Sequence, residues 1–249
     1  MDLDRSFTIR ESSHRILNPF TPEKLATLGA ALFLPPGARV LDLASGKGEL
    51  LCTWARDHAV TGTGVDISTV FTAAARARAR ELGVDERVRF VHADASSYAP
   101  RDPVDVACCI GATWIGGGVR GTLSLLEAGL RPGGIVLVGE PFWRLDPPDQ
   151  AIVESTHPSA PWDHLTLPGL VALVTGLGWD VVEMVLADED SWDRYVAAQW
   201  RNLRAWLDDN PGDEQAPSLR AELDAAPLTY VTLQRPYLGW GVLALRRRP

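Results

Sequence analysis

From residue 39 onward, short apolar runs alternate with segments whose apolar residues recur every three or four positions. The apolar runs have the length of buried strands; they are ARVLDLA, VTGTGVDIS, RVRFVHADA, PVDVACCIGA and GGIVLVGEP. The periodic segments between them predict helices over about 48–57, 69–82 and 120–130. Strands that alternate with helices in this way predict an α/β fold, in which a parallel sheet has helices on both faces.

The second half of the chain has a different pattern. The proline-rich residues 141–168 predict an irregular loop, and LPGLVALVTGLGWDVVEMVLAD then predicts a helix followed by a strand. Apolar residues recur at helical spacing from about Asp190 to Leu207, a further helix is expected from near Pro217, and LGWGVLALRRR predicts a last strand. About 50 residues separate the last two strands. This is too long for a hairpin and predicts an inserted helical cap.

These elements predict a single domain over residues 1–249. A chain of 249 residues, of which 46% are hydrophobic, is long enough to bury one sizeable core. The predicted parts are a helical lead-in at 1–38, a core at 39–186, a helical insert at 187–237 and the final strand at 238–249.

Charge and cysteine content argue against several classes of protein. The formal net charge of −8 disfavours non-specific nucleic-acid binding, which needs a basic surface. No apolar run approaches the roughly 18 residues of a membrane span, and the N-terminal sequence has no secretory pattern. Cys52, Cys108 and Cys109 form neither a disulfide framework nor a paired metal-binding motif. We therefore expect a cytoplasmic protein without a metal, nucleic-acid or membrane partner.

The segment RVLDLASGKGELL, residues 39–51, places a turn of small residues between a predicted strand and a predicted helix. In doubly wound sheets, ligands bind beyond the carboxyl ends of the strands, where glycines allow positive φ and close approach of a ligand. The small residues are Ala44, Ser45, Gly46 and Gly48, and Asp42 precedes them. A turn of this kind also occurs without a ligand, so the motif alone leaves a purely structural role open.

The second predicted strand ends in an acid, Asp66, 18 residues after Gly48. A carboxylate in this place accepts hydrogen bonds from both hydroxyls of a ribose, although it equally caps a following helix. A dinucleotide fingerprint needs a third glycine, which brings a helix N-terminus to a pyrophosphate, and the third position here is Leu51. Asp42, which faces the turn, favours a cationic ligand over an anionic one.

Five ordered motifs resemble those of the class I S-adenosylmethionine-dependent methyltransferases. They are VLDLASGKGE, GVDIS, VHADA, DVACCIGATW and LRPGGIVLVGEPFW, and they lie between about Pro36 and Trp143. The lead-in SSHRILNPFTPEKL and the segments GATWIGGG and GEPFW are similar to a bacterial small-molecule subgroup. The resemblance implies a Rossmann-like, seven-stranded, mostly parallel sheet with an antiparallel last strand. It also implies S-adenosylmethionine as cofactor and S-adenosylhomocysteine as its product.

The resemblance further implies which residues contact the cofactor. Asp42 resembles the acid that holds the methionine ammonium, directly or through water. Asp66 resembles the ribose ligand and Ile67 the apolar neighbour of adenine, while Asp94 resembles the acid that accepts a hydrogen bond from the adenine amino group. The remaining implied contacts come from the turn and from strand ends: Ala44, Ser45, Gly46, Gly48, Ala95, Cys109, Ile110 and Gly111. Ala44 departs from the family, which usually has glycine there.

Candidate catalytic and acceptor-binding residues follow from position. Because loops after parallel strands line such sites, Trp114 after the fourth strand and Glu140 and Trp143 at the end of the fifth are candidates. His14 lies in the lead-in, which folds over the cofactor in similar enzymes, and Tyr195 lies on the inserted helix. Structural roles stay open for each, such as packing within the cap for Tyr195 or an ion pair with an arginine for Glu140.

We therefore expect an enzyme that transfers a methyl group from S-adenosylmethionine to a nitrogen or oxygen of a small molecule, by in-line displacement. Two alternatives stay open. One is an NAD(P)-dependent oxidoreductase on a similar sheet, against which Leu51 counts. The other is a non-catalytic protein that binds S-adenosylmethionine. Both a monomer and a homodimer are compatible with the sequence.

Overall fold

The computed structural model describes residues 3–147, 149–156 and 164–249. Within these ranges one sheet contains the strands β1 (Arg39–Leu43), β2 (Thr61–Asp66), β3 (Val88–His92), β4 (Val104–Ile110), β5 (Leu130–Trp143), β6 (Trp179–Leu186) and β7 (Leu238–Arg247). Their order across the sheet is β3-β2-β1-β4-β5-β7-β6. The pairs among β1 to β5 are parallel, whereas β7 is antiparallel to both of its neighbours, β5 and β6. The predicted Rossmann-like sheet with an antiparallel last strand is confirmed.

The helices of the described ranges surround this sheet. They are α1 (Arg5–Arg10), α2 (Pro22–Ala31), α3 (Glu49–His58), α4 (Thr69–Glu81), α5 (Val119–Ala128), α6 (Gln150–Thr156), α7 (Leu167–Gly176), α8 (Glu189–Asp209) and α9 (Ala216–Thr229). Thr21, Ser68 and Asp188 precede α2, α4 and α8, and each side chain accepts a hydrogen bond from a backbone N–H of the first turn. None of the described helices combines the length and the apolarity that crossing a membrane requires.

Two apolar layers fix the helices to the sheet. On one face, α2, α3 and α4 pack through side chains such as Leu28 and Trp54, both almost fully buried. On the other face, α5 and α7 pack through Leu126 and Val174. A third, smaller cluster joins α1 to α8 and α9; its buried members are Ile9, Leu203, Leu207, Ala216 and Leu219. This cluster anchors the N-terminal helix to the insert that precedes β7.

The prediction of an irregular loop over 141–168 is wrong in two places. β5 continues through Trp143, and α6 follows shortly after it. β4 pairs with β5 only as far as Gly139, so Pro141 is paired in the sheet with β7 alone, before Trp143 forms a single bridge with Thr166. A strand with a free edge tolerates proline, which has no N–H to donate, and this explains Pro141 within β5. Residues 148 and 157–163 of the predicted loop lie outside the described residues.

Candidate functional site

The turn after β1 has the left-handed backbone that its small residues allow. Ala44, Gly46 and Gly48 have φ values of +64°, +54° and +72°, a region that L side chains rarely adopt. A Cβ on Gly48 would lie 2.5 Å from the ring of Phe90, so this position requires glycine for space as well as for φ. At the carboxyl end of β1, the glycines of the turn therefore leave the backbone without side chains over it.

Two of the predicted acids, Asp42 and Asp66, are buried at the ends of the adjacent strands β1 and β2, with relative exposures of 4% and 7%. Asp66 accepts hydrogen bonds from the N–H groups of Gly46, at 2.7 Å, and Ser68, at 2.8 Å. Burial, with a further contribution from the nearby charge of Asp66, raises the pKa of Asp42 to about 7. A cation bound next to Asp42 would lower this pKa and so favour the ionised carboxylate.

The third predicted acid, Asp94, lies just beyond β3 and is exposed. Its Oδ1 accepts a hydrogen bond from the Ser96 N–H at 2.8 Å, and the hydrogen bonds from Ser96 hold the pKa of Asp94 below its usual value. Asp94 is therefore ionised at neutral pH and, unlike Asp42, needs no ligand to stabilise its charge.

A cavity of about 570 Å³ lies at the carboxyl ends of these strands, a volume typical of small-molecule sites. Most predicted cofactor-binding residues line it: Asp42, Ala44, Ser45, Gly46, Asp66, Ile67, Asp94, Ala95, Ile110 and Gly111. Two do not line it. Gly48 lies beneath the ring of Phe90, and Cys109 is fully buried in the core on the α5 side of the sheet. Leu51 is likewise fully buried beneath the turn.

Residues 11–18 connect α1 to α2, and we call this segment the strap; its residues 15–18 line the cavity. Its Leu17 packs on the turn, because a Cβ on Gly46 would lie 2.9 Å from Leu17 Cδ1. The ammonium of Lys47 fastens the strap by donating to three carbonyl oxygens, those of Glu11 (2.7 Å), Ser12 (3.0 Å) and His14 (2.7 Å). Sequence reasoning missed Lys47, although it is one of two lysines in the chain and stands inside the glycine turn.

The other side of the strap is fixed to α8. Glu11 is fully buried, and its Oε1 accepts hydrogen bonds from Tyr195 Oη (2.9 Å) and Gln199 Nε2 (2.7 Å). The His14 ring lies between two oxygens, with Nδ1 3.1 Å from Glu11 Oε2 and Nε2 3.1 Å from the Tyr195 carbonyl oxygen. Neither His14 nor Tyr195 lines the cavity. These two predicted catalytic residues hold the strap against α8.

A second pair of charged side chains at the cavity was also missed. Arg15 of the strap and Glu49 at the start of α3 both line it. Glu49 is held at 3.2 Å by Arg15 Nε and at 2.8 Å by Arg78 Nη2. The signal was present in the sequence, since Glu49 closes the motif VLDLASGKGE and Arg78 belongs to an arginine-rich helix.

On the β4–β5 side, the structure separates the three remaining candidates. Trp114 lines the cavity and is 57% exposed. Glu140 does not line the cavity; it is buried, and its Oε2 accepts a hydrogen bond from Thr113 Oγ1 at 2.7 Å. Burial raises the pKa of Glu140 to about 7. Trp143 lies apart, in a small cluster with Ile152 and Leu238. Only Trp114 of the three therefore lines the cavity.

The chemistry of the cavity fits a cationic nucleoside. Carboxylates on the β2 and β3 side match hydroxyl and amino donors, and the buried Asp42 matches a positive charge. Apolar side chains of Ile67 and Phe71 provide surfaces for a flat ring. The left-handed turn leaves backbone accessible where a side chain would otherwise fill the space.

Comparison with known proteins agrees with this chemistry. A family model described as a methyltransferase domain matches residues 40–134. The chain is 57% identical to Uncharacterized protein YjhP of Escherichia coli (strain K12), over 100% of both chains. It is 59% identical to a solved S-adenosylmethionine-dependent methyltransferase of Geobacter sulfurreducens in complex with S-adenosylhomocysteine, with a TM-score of 0.97 and 99% of each chain covered. A Thiobacillus denitrificans enzyme of the same description, also in complex with S-adenosylhomocysteine, is 58% identical, with a TM-score of 0.97 and 100% of each chain covered.

Proposed function

The chain belongs to the S-adenosylmethionine-dependent methyltransferase family, and we propose that it transfers the methyl group of that cofactor to a nitrogen or oxygen of a small molecule. One observation carries the proposal: the glycine turn, Asp42 and Asp66 line one cavity together with residues 15–18 of the strap. The two similar enzymes were solved with S-adenosylhomocysteine, the product of S-adenosylmethionine use.

The residues around the cavity divide between the two ends of the cofactor. Asp66 would hold the ribose hydroxyls, Ile67 would pack on adenine, and Asp94 would accept from the adenine amino group. Asp42 would hold the methionine ammonium, and the loop that ends β4, with Ile110 and Gly111, would face the methionine portion. Charge-assisted hydrogen bonds of this kind contribute roughly 1.5–3 kcal/mol each.

When bound, S-adenosylmethionine supplies an activated methyl: a bond from the acceptor to carbon forms as the carbon–sulfur bond breaks, leaving S-adenosylhomocysteine. The task of the chain is to hold the acceptor close to that carbon and in line with it, which supplies roughly 7–11 kcal/mol in favourable cases. With the cofactor and acceptor bound, the apolar side chains that line the cavity would limit the access of water to this space. An acceptor that arrives protonated must also lose its proton, to solvent or to a base.

The size and position of the cavity favour a small acceptor. About 570 Å³ is within the range of small-molecule sites, and residues 15–18 of the strap line part of it. Trp114, with more than half of its surface exposed, stands at the open side beyond β4, where an acceptor would approach. Its ring would pack against an apolar acceptor or a cationic amine.

The acidic surface and the cysteines support a cytoplasmic small-molecule enzyme. A net charge of −8 disfavours a nucleic-acid acceptor. All three cysteines lie in the described ranges, and each is buried and free, as is usual in a reducing compartment.

The first test is ligand binding by thermal shift with S-adenosylhomocysteine and, separately, NAD. A ligand at about 100 times its dissociation constant stabilises the fold by roughly 2.7 kcal/mol, which for a chain of this length raises Tm by about 5–10 °C. We expect that rise with S-adenosylhomocysteine alone. A rise with NAD alone would instead support an oxidoreductase.

The second test is a screen with methyl-labelled S-adenosylmethionine against panels of small amines, phenols and alcohols. Label in a product with a new N–CH₃ or O–CH₃ group supports the proposal, and the Asp42→Asn variant serves as the impaired control. Label found only on carbon or sulfur would overturn the assignment of the acceptor atom. Tight cofactor binding without any transfer would support a non-catalytic binding protein.

A further inference from the structure

One cation at the cavity has hydrogen-bond donors that no described residue uses. Arg15 of the strap lines the cavity, and 41% of its side-chain surface is exposed. A guanidinium carries five N–H donors. Within the described part of the chain, only the Nε–H of Arg15 donates a hydrogen bond, to Glu49 Oε2 at 3.2 Å. The four donors on its two Nη atoms therefore remain for a ligand.

Glu49 has a stronger partner than Arg15. Arg78 of α4 binds the same carboxylate at both oxygens, with Nε 3.0 Å from Oε2 and Nη2 2.8 Å from Oε1. Such a two-point contact is the strong form of an arginine–carboxylate pair. The contact between Glu49 and Arg15 holds the guanidinium in place without using its two Nη groups. A group that is held before a ligand arrives costs less entropy to use.

The other charged side chains around the cavity leave Arg15 as the group for an anion. Four acids of the described ranges line it: Asp42, Glu49, Asp66 and Asp94. Lys47 is the second cation there, but an ammonium has three donors and three carbonyl oxygens of the strap accept from it. Of the described residues that line the cavity, Arg15 thus offers the one positive charge with unused donors.

The neighbours of Arg15 place it at the glycine turn. Glu49, which holds it, is the first residue of α3 and directly follows the turn. Two residues beyond Arg15, Leu17 packs on the same turn through the contact with Gly46 described above. The turn follows β1, whereas the acids assigned to the adenosine lie at the ends of β2 and β3. Arg15 is therefore at the β1 side of the cavity, where Asp42 would hold the methionine ammonium.

We propose that Arg15 is a further cofactor-binding residue, whose two Nη groups donate hydrogen bonds to the carboxylate of the methionine portion. The inference rests on the proposed function, which assigns this side of the cavity to that portion. The carboxylate is the one anionic group of S-adenosylmethionine, and a guanidinium matches its two oxygens with two parallel donors. Asp42 and Arg15 thus divide the amino-acid group, the acid binding the ammonium and the base binding the carboxylate.

Two ligands that differ only in this carboxylate test the inference. S-adenosylhomocysteine carries both the ammonium and the carboxylate, whereas its decarboxylated analogue, S-adenosyl-3-thiopropylamine, keeps only the ammonium. Titration calorimetry on the full chain would give the affinity of each ligand for the wild type and for Arg15→Met, which leaves Glu49 paired with Arg78. We expect Arg15→Met to weaken S-adenosylhomocysteine by about tenfold to a hundredfold, from lost charge-assisted hydrogen bonds. The affinity for the analogue should stay within about twofold of the wild type.

Three further variants separate this role from general damage to the site. Arg10→Met is the matched control, because Arg10 pairs with Glu222 at 3.0 Å and does not line the cavity; both ligands should bind it as they bind the wild type. Asp42→Asn should weaken both ligands, since both keep the ammonium. Arg15→Gln covers a failure of Arg15→Met to fold, and it should show the same selective loss because it has no charge.

The remaining outcomes contradict one proposal or the other. An equal loss of both ligands in the Arg15 variants would show that Arg15 only shapes the strap. No loss of either ligand would show that its free donors serve solvent or an anionic acceptor instead, and each of these results overturns the inference. Wild-type protein that binds neither ligand would overturn the proposed function itself.

Discussion

The carboxylate of Asp66 accepts a hydrogen bond from the backbone N–H of Gly46 at 2.7 Å, so the acid that ends β2 also holds the glycine turn that follows β1. Its other oxygen accepts from the Ser68 N–H, at 2.8 Å, at the start of α4. One buried side chain thereby connects two loops that surround the cavity. Each carboxylate oxygen can accept more than one hydrogen bond.

Replacing Asp66 tests this double role. We expect Asp66→Ala to weaken S-adenosylhomocysteine binding by roughly tenfold to a hundredfold, because charge-assisted hydrogen bonds are lost. Titration calorimetry measures the effect. Asp85→Ala is the matched control, since Asp85 is exposed in the loop before β3 and should leave the affinity unchanged. An unaltered affinity in Asp66→Ala would remove this residue from the proposed site.

The crowding at Gly48 predicts that replacing it by alanine destabilises the fold more than the same replacement at Gly37, a glycine of similar φ. Gly37 has a φ of +82° with no heavy atom within 4 Å of a built Cβ, whereas a Cβ on Gly48 would lie 2.5 Å from the Phe90 ring. We expect Gly37→Ala to cost about 1–2 kcal/mol of unfolding free energy, from the left-handed backbone alone. Gly48→Ala should cost roughly 1–3 kcal/mol more, from overpacking. Denaturant unfolding compares them, and equal losses would contradict the crowding.

The raised pKa of Asp42 predicts that cofactor binding depends on pH. Below about pH 7 the buried carboxyl holds a proton, which must leave before the group can pair with an ammonium. The affinity for S-adenosylhomocysteine should therefore fall about tenfold between pH 8 and pH 6. Glu140 also has a pKa raised by burial to about 7, so the comparison needs Asp42→Asn. Asp42→Asn should bind S-adenosylhomocysteine more weakly, and its affinity should change little with pH. If the affinity of this variant still falls towards pH 6, the pH dependence arises from another group.

The same shift predicts the sign of a stability effect in the ligand-free protein. The pKa of Asp42 is about 7 in the folded state, whereas the unfolded chain has the ordinary aspartate pKa of 3.8. Between these values the folded state binds more protons, so stability falls as the pH rises through this window. Urea unfolding at pH 5 and pH 7.5 should show a smaller loss for Asp42→Asn than for the wild type. Equal losses would contradict a raised pKa at this position.

The three carbonyl contacts of Lys47 predict that it controls the strap. Lys47→Met keeps much of the apolar chain but removes the donor, and we expect a loss of about 1–3 kcal/mol in unfolding free energy. Amide hydrogen exchange over residues 11–18 should become faster, since the strap loses its fastening to the turn. Lys24→Met is the control: Lys24 pairs with the exposed Asp188 at 3.1 Å, and such a pair contributes only about 0–1 kcal/mol. Unchanged exchange in Lys47→Met would show that other contacts hold the strap.

Much of the core followed from the sequence because its causes are local. Alternating strand and helix periods predict a parallel sheet, and the crossover rule then places the ends of β1, β2 and β4 at one edge. Positive φ at the turn restricts those positions to small residues, which makes the turn visible in the sequence. Asp42 and Asp66 end buried strands, so their place near a ligand could be predicted before their contacts were known. The roles assigned to individual site residues stay predictions until ligand binding is measured.

The contacts that hold the strap in place were decided by the tertiary structure. Lys47 meets carbonyl oxygens more than 30 positions earlier, and Glu11 meets Tyr195 across 184 positions. No local sequence pattern predicts such pairs, because each pair forms only where the folded sheet and α8 bring distant segments together. For the same reason the sequence does not show that His14 and Tyr195 lie next to each other, between the strap and α8.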